Sequence, residues 1–192
     1  MIRGLYDWTL AWAGHRHAPW ALAAVAFAES SVFPIPPDLL LIPMILAAPH
    51  KAFRFAAICT IASVLGALLG YAIGYFAWET LGEPILRSLG KADAFEGFEA
   101  RYNDYGAWAV LVAGVTPFPF KVITILSGMT ALSLPVFLVS SIVARGLRFV
   151  IVAAILWKYG PPVRELVERR LGLFFTVATI LLIGGFFAVR WL

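Results

Sequence analysis

Five apolar stretches run along this chain, and only three are long enough to cross a lipid bilayer unbroken. A helix rises about 1.5 Å per residue and the hydrocarbon core is about 30 Å thick. Phe55–Trp78 would reach about 36 Å, Pro135–Trp157 about 34 Å and Leu171–Val189 about 28 Å. The other two stretches come in halves. Pro19–Phe33 and Leu39–Ala48 would reach about 22 and 15 Å, and Pro34-Ile35-Pro36-Pro37-Asp38 separates them. Ala107–Thr116 and Val122–Leu134 would reach about 15 and 20 Å, split by Pro117-Phe118-Pro119-Phe120-Lys121. Proline has no N–H and restrains the residue before it, so a helix breaks at these points. Broken backbone at membrane depth is tolerated only where it is buried in protein or lines a wet cavity. The lengths predict two re-entrant helical hairpins, 19–48 and 107–134, broken at Pro34, Pro36 and Pro37 and at Pro117 and Pro119. A pair of proline-kinked spanning helices is the alternative.

Composition agrees with a membrane location. Hydrophobic residues make up 61% of the 192 and charged residues 14%, against about 25% charged in an ordinary soluble domain. The net charge of +4 does not point to nucleic acid, because the basic residues are scattered and flank apolar runs. Ile2, Leu5, Trp8 and Trp12 recur at helical spacing, so residues 1–17 read as an amphipathic helix on the membrane surface. Ala26-Phe27-Ala28 imitates a signal-peptidase site, but the apolar run continues past it and no cleavage is expected. The polar stretch 79–105 reads as short interfacial helices after a span at 52–78, with further spans at 135–157 and 171–190, the chain being taken as one membrane domain. Eight lysines and arginines fall in the loops of one side and four in those of the other, which places the N-terminus in the cytoplasm.

A shift of 83 residues lays Pro34-Ile35-Pro36 on Pro117-Phe118-Pro119, Asp38 on Lys121, and one full span on the other. A hairpin returns to its own side and one complete crossing separates the two, so the repeat is expected to be inverted. Inverted repeats whose broken helices meet near the midplane are a recurring transporter plan.

Ionisable groups at membrane depth are expensive and mark function by default. Glu29 and Asp38 lie in the first hairpin, Lys121 in the second, and Arg145 and Arg148 in the middle of a span. Arg145 and Arg148 are three residues apart and share a helix face. They suit either a static bridge to Glu29 or Asp38, or an anionic phosphate, which a guanidinium holds with two bonds. The five charges sum to +1 when all are ionised, favouring an anion; Glu29 and Asp38 could alternatively couple transport to protons. Gly66, Gly70 and Gly74 with Ala62 and Ser63 make a stripe of small residues for close helix packing. Cys59 is single, and His15, His17 and His50 sit near segment ends, so neither a disulfide nor a metal site is expected. No nucleophile–base set or phosphate loop is visible; an enzyme or a cofactor is not expected.

The acidic, proline-broken hairpin, the glycine-rich span, the second broken hairpin and a span with Ala144-Arg145-Gly146-Leu147-Arg148-Phe149 resemble, in that order, the DedA superfamily. It is also called the VTT or SNARE-associated family, and the last segment is similar to its YqaA-like branch. The resemblance covers roughly residues 20–160. It implies an all-α inner-membrane protein that translocates or scrambles an anionic lipid such as undecaprenyl phosphate. In that reading Glu29 and Asp38 gate or couple, while Lys121, Arg145 and Arg148 attract the headgroup. Gly114 stands where larger members carry a first hairpin arginine, and Lys121 lies close to the second position. Membrane lipids and protons are the expected partners, and the sequence allows a homo-oligomer. A proton-coupled exchanger of small solutes and a structural membrane protein without transport are the alternatives.

Overall fold

The computed structural model describes residues 17–33, 36–88, 92–116 and 118–160. The surface helix expected over 1–17 (apart from His17), the connector and span expected over 161–190, and the hairpin-break residues Pro34 and Pro117 lie outside them. The described residues are helical, with no strand among them.

Helix α1, Ala18–Ser31, carries a proline in its first turn, where the missing N–H is not needed. It stops before the proline run. Helix α2, Asp38–Ala47, starts on that run, with Pro37 as its buried cap and Asp38 in the first turn. A carboxylate there meets the partial positive charge of the helix N-terminus. After a short 3-10 turn at Pro49–Lys51 comes α3, Ala52–Ala77. It continues without a stop through a π turn, Trp78–Gly82, into α4, Glu83–Ser88. The whole run, Pro49–Ile85, is 37 residues and apolar enough to cross a membrane. Helix α5 is Ala92–Val115 and α6 is Phe120–Met129. Helix α7, Leu134–Gly160, is the second of the described helices long and apolar enough to cross. The two spans expected at 52–78 and 135–157 thus coincide with helices of sufficient length.

The polar stretch differs from expectation. Instead of short pieces over 79–105, the helix of α3 runs beyond Trp78, and α5 joins the end of the polar stretch to the apolar 107–115 in one 24-residue helix. Between Ala92 and Val115 there is no proline to stop it, and Glu96, Arg101, Asn103 and Asp104 are exposed. Trp78 stacks on Phe95, with ring centroids 3.8 Å apart, and so folds α5 back against the end of α3.

Helix α3 is the axis. One apolar cluster joins Leu22 and Ala26 of α1, Leu41 and Met44 of α2, Phe55 and Cys59 of α3, and Phe149 and Ala153 of α7. A second joins Ala67 of α3, Val110 of α5, Phe120 of α6, and Leu132 and Phe137 around the start of α7. Between the two clusters, α3 contributes Ser63 and α7 contributes Ser140, Ser141 and Arg145, all buried. The interior is thus apolar at both ends and polar in the middle. Outside, α3 shows Ile61, Leu65 and Leu69, and α7 shows Val139, Leu147 and Ile151. Such apolar faces on helices of this length suit contact with hydrocarbon.

The glycine stripe sets how closely the short helices approach this axis. A Cβ on Gly66 would run into the carbonyl oxygen of Phe27 in α1; one on Gly74, into that of Ile125 in α6; one on Gly128, into that of Tyr71 in α3. These are backbone contacts that no rotamer change can relieve. Gly97 in α5, by contrast, faces open space. Hence Gly66→Ala and Gly74→Ala are expected to lower the melting temperature in detergent sharply, with loss of monodisperse protein. Gly97→Ala should be neutral or stabilising by up to about 1 kcal/mol, because alanine is the better helix former. Thermal unfolding followed by circular dichroism, with the three variants side by side, checks the contrast.

Candidate functional site

The polar middle layer is assembled from four helices. Helix α1 ends in Glu29, Ser30 and Ser31, and the proline run turns the chain so that α2 opens on Asp38 beside it. On α7, Ser141, Arg145 and Arg148 follow one another at helical spacing on one face. Helix α3 places Ser63 opposite that face, one turn before Gly66.

Arg145 is fully buried. Its Nη2 donates to Glu29 Oε2 at 2.6 Å, and its Nε donates to Ser63 Oγ at 2.6 Å. Its guanidinium lies over two rings, 4.9 Å from the centroid of Phe120 and 4.7 Å from that of Phe149. One ring belongs to each apolar cluster, so the charge sits at the seam between them. Cation–π attraction of this kind strengthens where water is excluded. Arg148 pairs with Asp38. The two pairs are unequal in exposure. The side chains of Arg145 and Glu29 are 0% and 12% exposed, whereas those of Arg148 and Asp38 are 19% and 23% exposed.

That difference decides which pair can open. Removing one partner of a buried pair strands the other charge and costs about 3–5 kcal/mol. A pair that water already reaches is worth about 0–1 kcal/mol. Arg148–Asp38 lies between these limits and can exchange its partner for another anion. Arg145–Glu29 behaves as a fixed strut.

Lys121 is placed apart from these pairs. It lies in the first turn of α6, and its Nζ donates to the carbonyl of Val32, just past the end of α1, at 3.2 Å. A cation there complements the negative end of the α1 dipole. Thr124, one turn on, donates to the carbonyl of Ser30 at 3.1 Å. The broken ends of the two helix pairs therefore meet, with Lys121 and Thr124 of one against Ser30 and Val32 of the other. Four of the five ionisable residues singled out in the sequence form two pairs, and the fifth caps a helix end next to them. Of the break residues, Pro36 is exposed and Pro37 buried, and Pro119 caps α6 with extended backbone.

Sequence reasoning missed the hydroxyls. Ser63 reads as a packing residue of the small-residue stripe and Ser30 carries no chemical signature, yet both enter the bonding of the arginine. No local signal marks them, because their partners lie 82 and 33 positions away in the chain. The glycine at 114 also has a structural reason: a Cβ there would come within 2.5 Å of the Ala144 Cβ, so no arginine fits without moving α5 off α7. Three buried polar atoms have no hydrogen-bond partner among the described residues: Arg145 Nη1, Ser141 Oγ and Asp38 Oδ1. They offer two donors and one acceptor to a polar guest. Among the described residues no His, Cys, Asp and Glu cluster could hold a metal ion.

The unequal pairs generate a stability prediction. Arg145→Ala is expected to destabilise by about 3–5 kcal/mol, because Glu29 is left buried and unpaired. Arg148→Ala should cost about 1 kcal/mol, nearer the exposed limit. The double variant Glu29→Ala/Arg145→Ala should be more stable than Arg145→Ala alone. Denaturant titration in a fixed micelle measures all three; equal losses for the two single arginine variants would contradict the ranking.

Comparison with known proteins places this architecture. The VTT domain profile matches residues 35–158. A Haemophilus influenzae protein described as uncharacterized is 37% identical over 168 residues, which cover 85% of this chain and 87% of the relative. A Histophilus somni homologue, also described as uncharacterized, is 35% identical with the same coverage. No solved structure matches. The matched residues run from the first proline break through α2, α3, α5 and α6 to the last turn of α7, leave out α1, and hold every ionisable residue of the site except Glu29. On this profile and these relatives, the chain belongs to the VTT-domain family of membrane proteins, the DedA family.

Proposed function

We propose that the protein carries an anionic lipid headgroup across the bilayer through the polar middle layer, while the acyl or prenyl tails stay in hydrocarbon. The observation that carries this reading is the pair Arg148–Asp38: a guanidinium and a carboxylate in the polar layer, partly open to the outside and bordered by unpaired donors. An arriving phosphate competes with Asp38 for Arg148, and Arg145 Nη1 and Ser141 Oγ supply further donors. The proposed coupling to protons falls on Asp38, the carboxylate that the headgroup displaces from Arg148. The charge count agrees. Glu29 and Asp38 against Lys121, Arg145 and Arg148 leave +1, which a monoanionic phosphate neutralises. No bond is made or broken, so the activity is transport and not catalysis.

In this reading α1–α2 and α5–α6 are re-entrant hairpins. Helices α2 and α6 have ten residues each and reach about 15 Å, half the hydrocarbon core. Their broken ends meet at Lys121 and Val32, as two hairpins entering from opposite faces would. The two units form an inverted repeat whose first half brings the acids and whose second half brings the bases. Every ion pair of the site then joins one half to the other. The protein lies in the bacterial inner membrane with a cytoplasmic N-terminus. Its cargo is an anionic phospholipid or a polyprenyl phosphate of the undecaprenyl type.

Reconstitution tests the proposal. In liposomes containing a fluorescent anionic lipid, the wild-type protein is expected to make the inner-leaflet label accessible to dithionite. Arg148→Ala should slow this by about tenfold or more, in line with the loss of one charge-assisted contact of roughly 1.5–3 kcal/mol. Equal rates in wild type and Arg148→Ala, both folded, overturn the headgroup role. Solute uptake that follows a pH gradient without any lipid movement points instead to a proton-coupled exchanger.

A further inference from the structure

Arg145 is held by more than its carboxylate. Its Nε and Nη2 donate along one edge of the guanidinium, to Ser63 and to Glu29. The two acceptors are themselves joined. The hydroxyls of Ser63 and Ser30 lie 2.6 Å apart, and Ser30 Oγ donates to Glu29 Oε2 at 3.1 Å. Counting hydrogens fixes the direction of this chain. Each hydroxyl owns one hydrogen. An ionised Glu29 only accepts, so the hydrogen of Ser30 goes to it. Ser30 Oγ must then accept from Ser63, and Ser63 accepts from Arg145 Nε. The path Arg145→Ser63→Ser30→Glu29 and the direct bond Arg145→Glu29 close a ring in which each hydroxyl donates once and accepts once.

Both serines are buried, where an unpaired hydroxyl is costly. Ser30 also carries the ring to the second helix pair, because its carbonyl accepts from Thr124 Oγ1. Gly70 makes the space for that contact: a Cβ there would collide with Thr124 Oγ1 and come to 3.1 Å from the Ser30 carbonyl oxygen. One residue of α1 thus touches the bonding of α3, α6 and, through Ser63, α7.

We infer that Ser30 and Ser63 are the positioning residues of this site. Their hydroxyls form a directed relay that holds Arg145 edge-on to Glu29 and keeps its Nη1 without a hydrogen-bond partner among the described residues. Arg145 then stays in place whether or not Glu29 carries its charge, because the bond from Nε to Ser63 does not involve the carboxylate. The relay's part in transport rests on the proposed function; its geometry does not.

The test reads the Arg145 Nε–H directly. Full-length protein labelled with 15N-arginine is placed in nanodiscs of phosphatidylethanolamine and phosphatidylglycerol, and the resonance is assigned by its loss in Arg145→Lys. In wild type it should lie downfield and exchange slowly with water. Ser63→Ala should move it upfield and speed its exchange about tenfold, and Ser63→Thr should restore it. Ser30→Ala, which acts one hydroxyl further away, should give a smaller shift of the same sign. Glu29→Gln should leave the resonance protected. An unchanged resonance in Ser63→Ala, or equal shifts in Ser63→Ala and Ser63→Thr, overturns the relay. Should Ser63→Ala fail to fold, Ser30→Ala against Ser30→Thr makes the same comparison. Dithionite accessibility on the same samples decides separately whether wild type moves lipid at all.

Discussion

Arg145 cannot be left alone. A guanidinium in the middle of an apolar span costs about 2.5–3.5 kcal/mol even on the mildest insertion scales, and here water does not reach it. Its needs organise what surrounds it. Glu29 must arrive from α1, Ser63 from α3, and a ring from each apolar cluster must lie against its faces. Glu29 reaches it from the last turn of α1, just ahead of the proline run. For α1 and α6 to lie close enough to α3, the stripe at Gly66, Gly70 and Gly74 must stay bare. The proline run and the glycine stripe thus both bear on how that charge is met.

Seen this way, the two ion pairs divide the labour. Glu29–Arg145 is buried, backed by the bond from Arg145 to Ser63 and flanked by rings, so it fixes α1 against α7. Asp38–Arg148 lies one turn along α7 and nearer the outside. In the proposed function, the gain from pairing there is small enough for a competing phosphate to offset it. A site with only sealed pairs would be rigid, and one with only exposed pairs would let the halves slide. Lys121 adds a third positive charge beside the meeting ends without closing the site, since a carbonyl and not a carboxylate holds it.

Much of this was legible in the sequence, for identifiable reasons. Proline leaves an unmistakable mark on an apolar run, so the short helices and their breaks at Pro36–Pro37 and Pro119 were visible. So were the charges within the apolar segments, because Glu29, Asp38, Lys121, Arg145 and Arg148 stand out there. What the sequence hid was pairing. Glu29 and Asp38 were equally good partners for either arginine, and only the packing of α1 and α2 against α7 assigns one to each. The serines were hidden more deeply. Ser63 reads as a small packing residue until the rotation of α3 turns it towards Arg145. The length of α5 was misread because polar residues suggested short surface pieces, whereas a stretch without proline simply continued as helix.

The central claim is that Asp38–Arg148 is the joint that opens while Glu29–Arg145 holds. Spin labels at two exposed positions, Ala47 near the end of α2 and Lys158 near the end of α7, report on that joint in a Cys59→Ser background. Distances between them are measured by double electron–electron resonance in lipid nanodiscs. With Asp38 intact, the account predicts one narrow distance; with Asp38→Asn, it predicts a second, longer population beside the first. The same single distance in both proteins would contradict it.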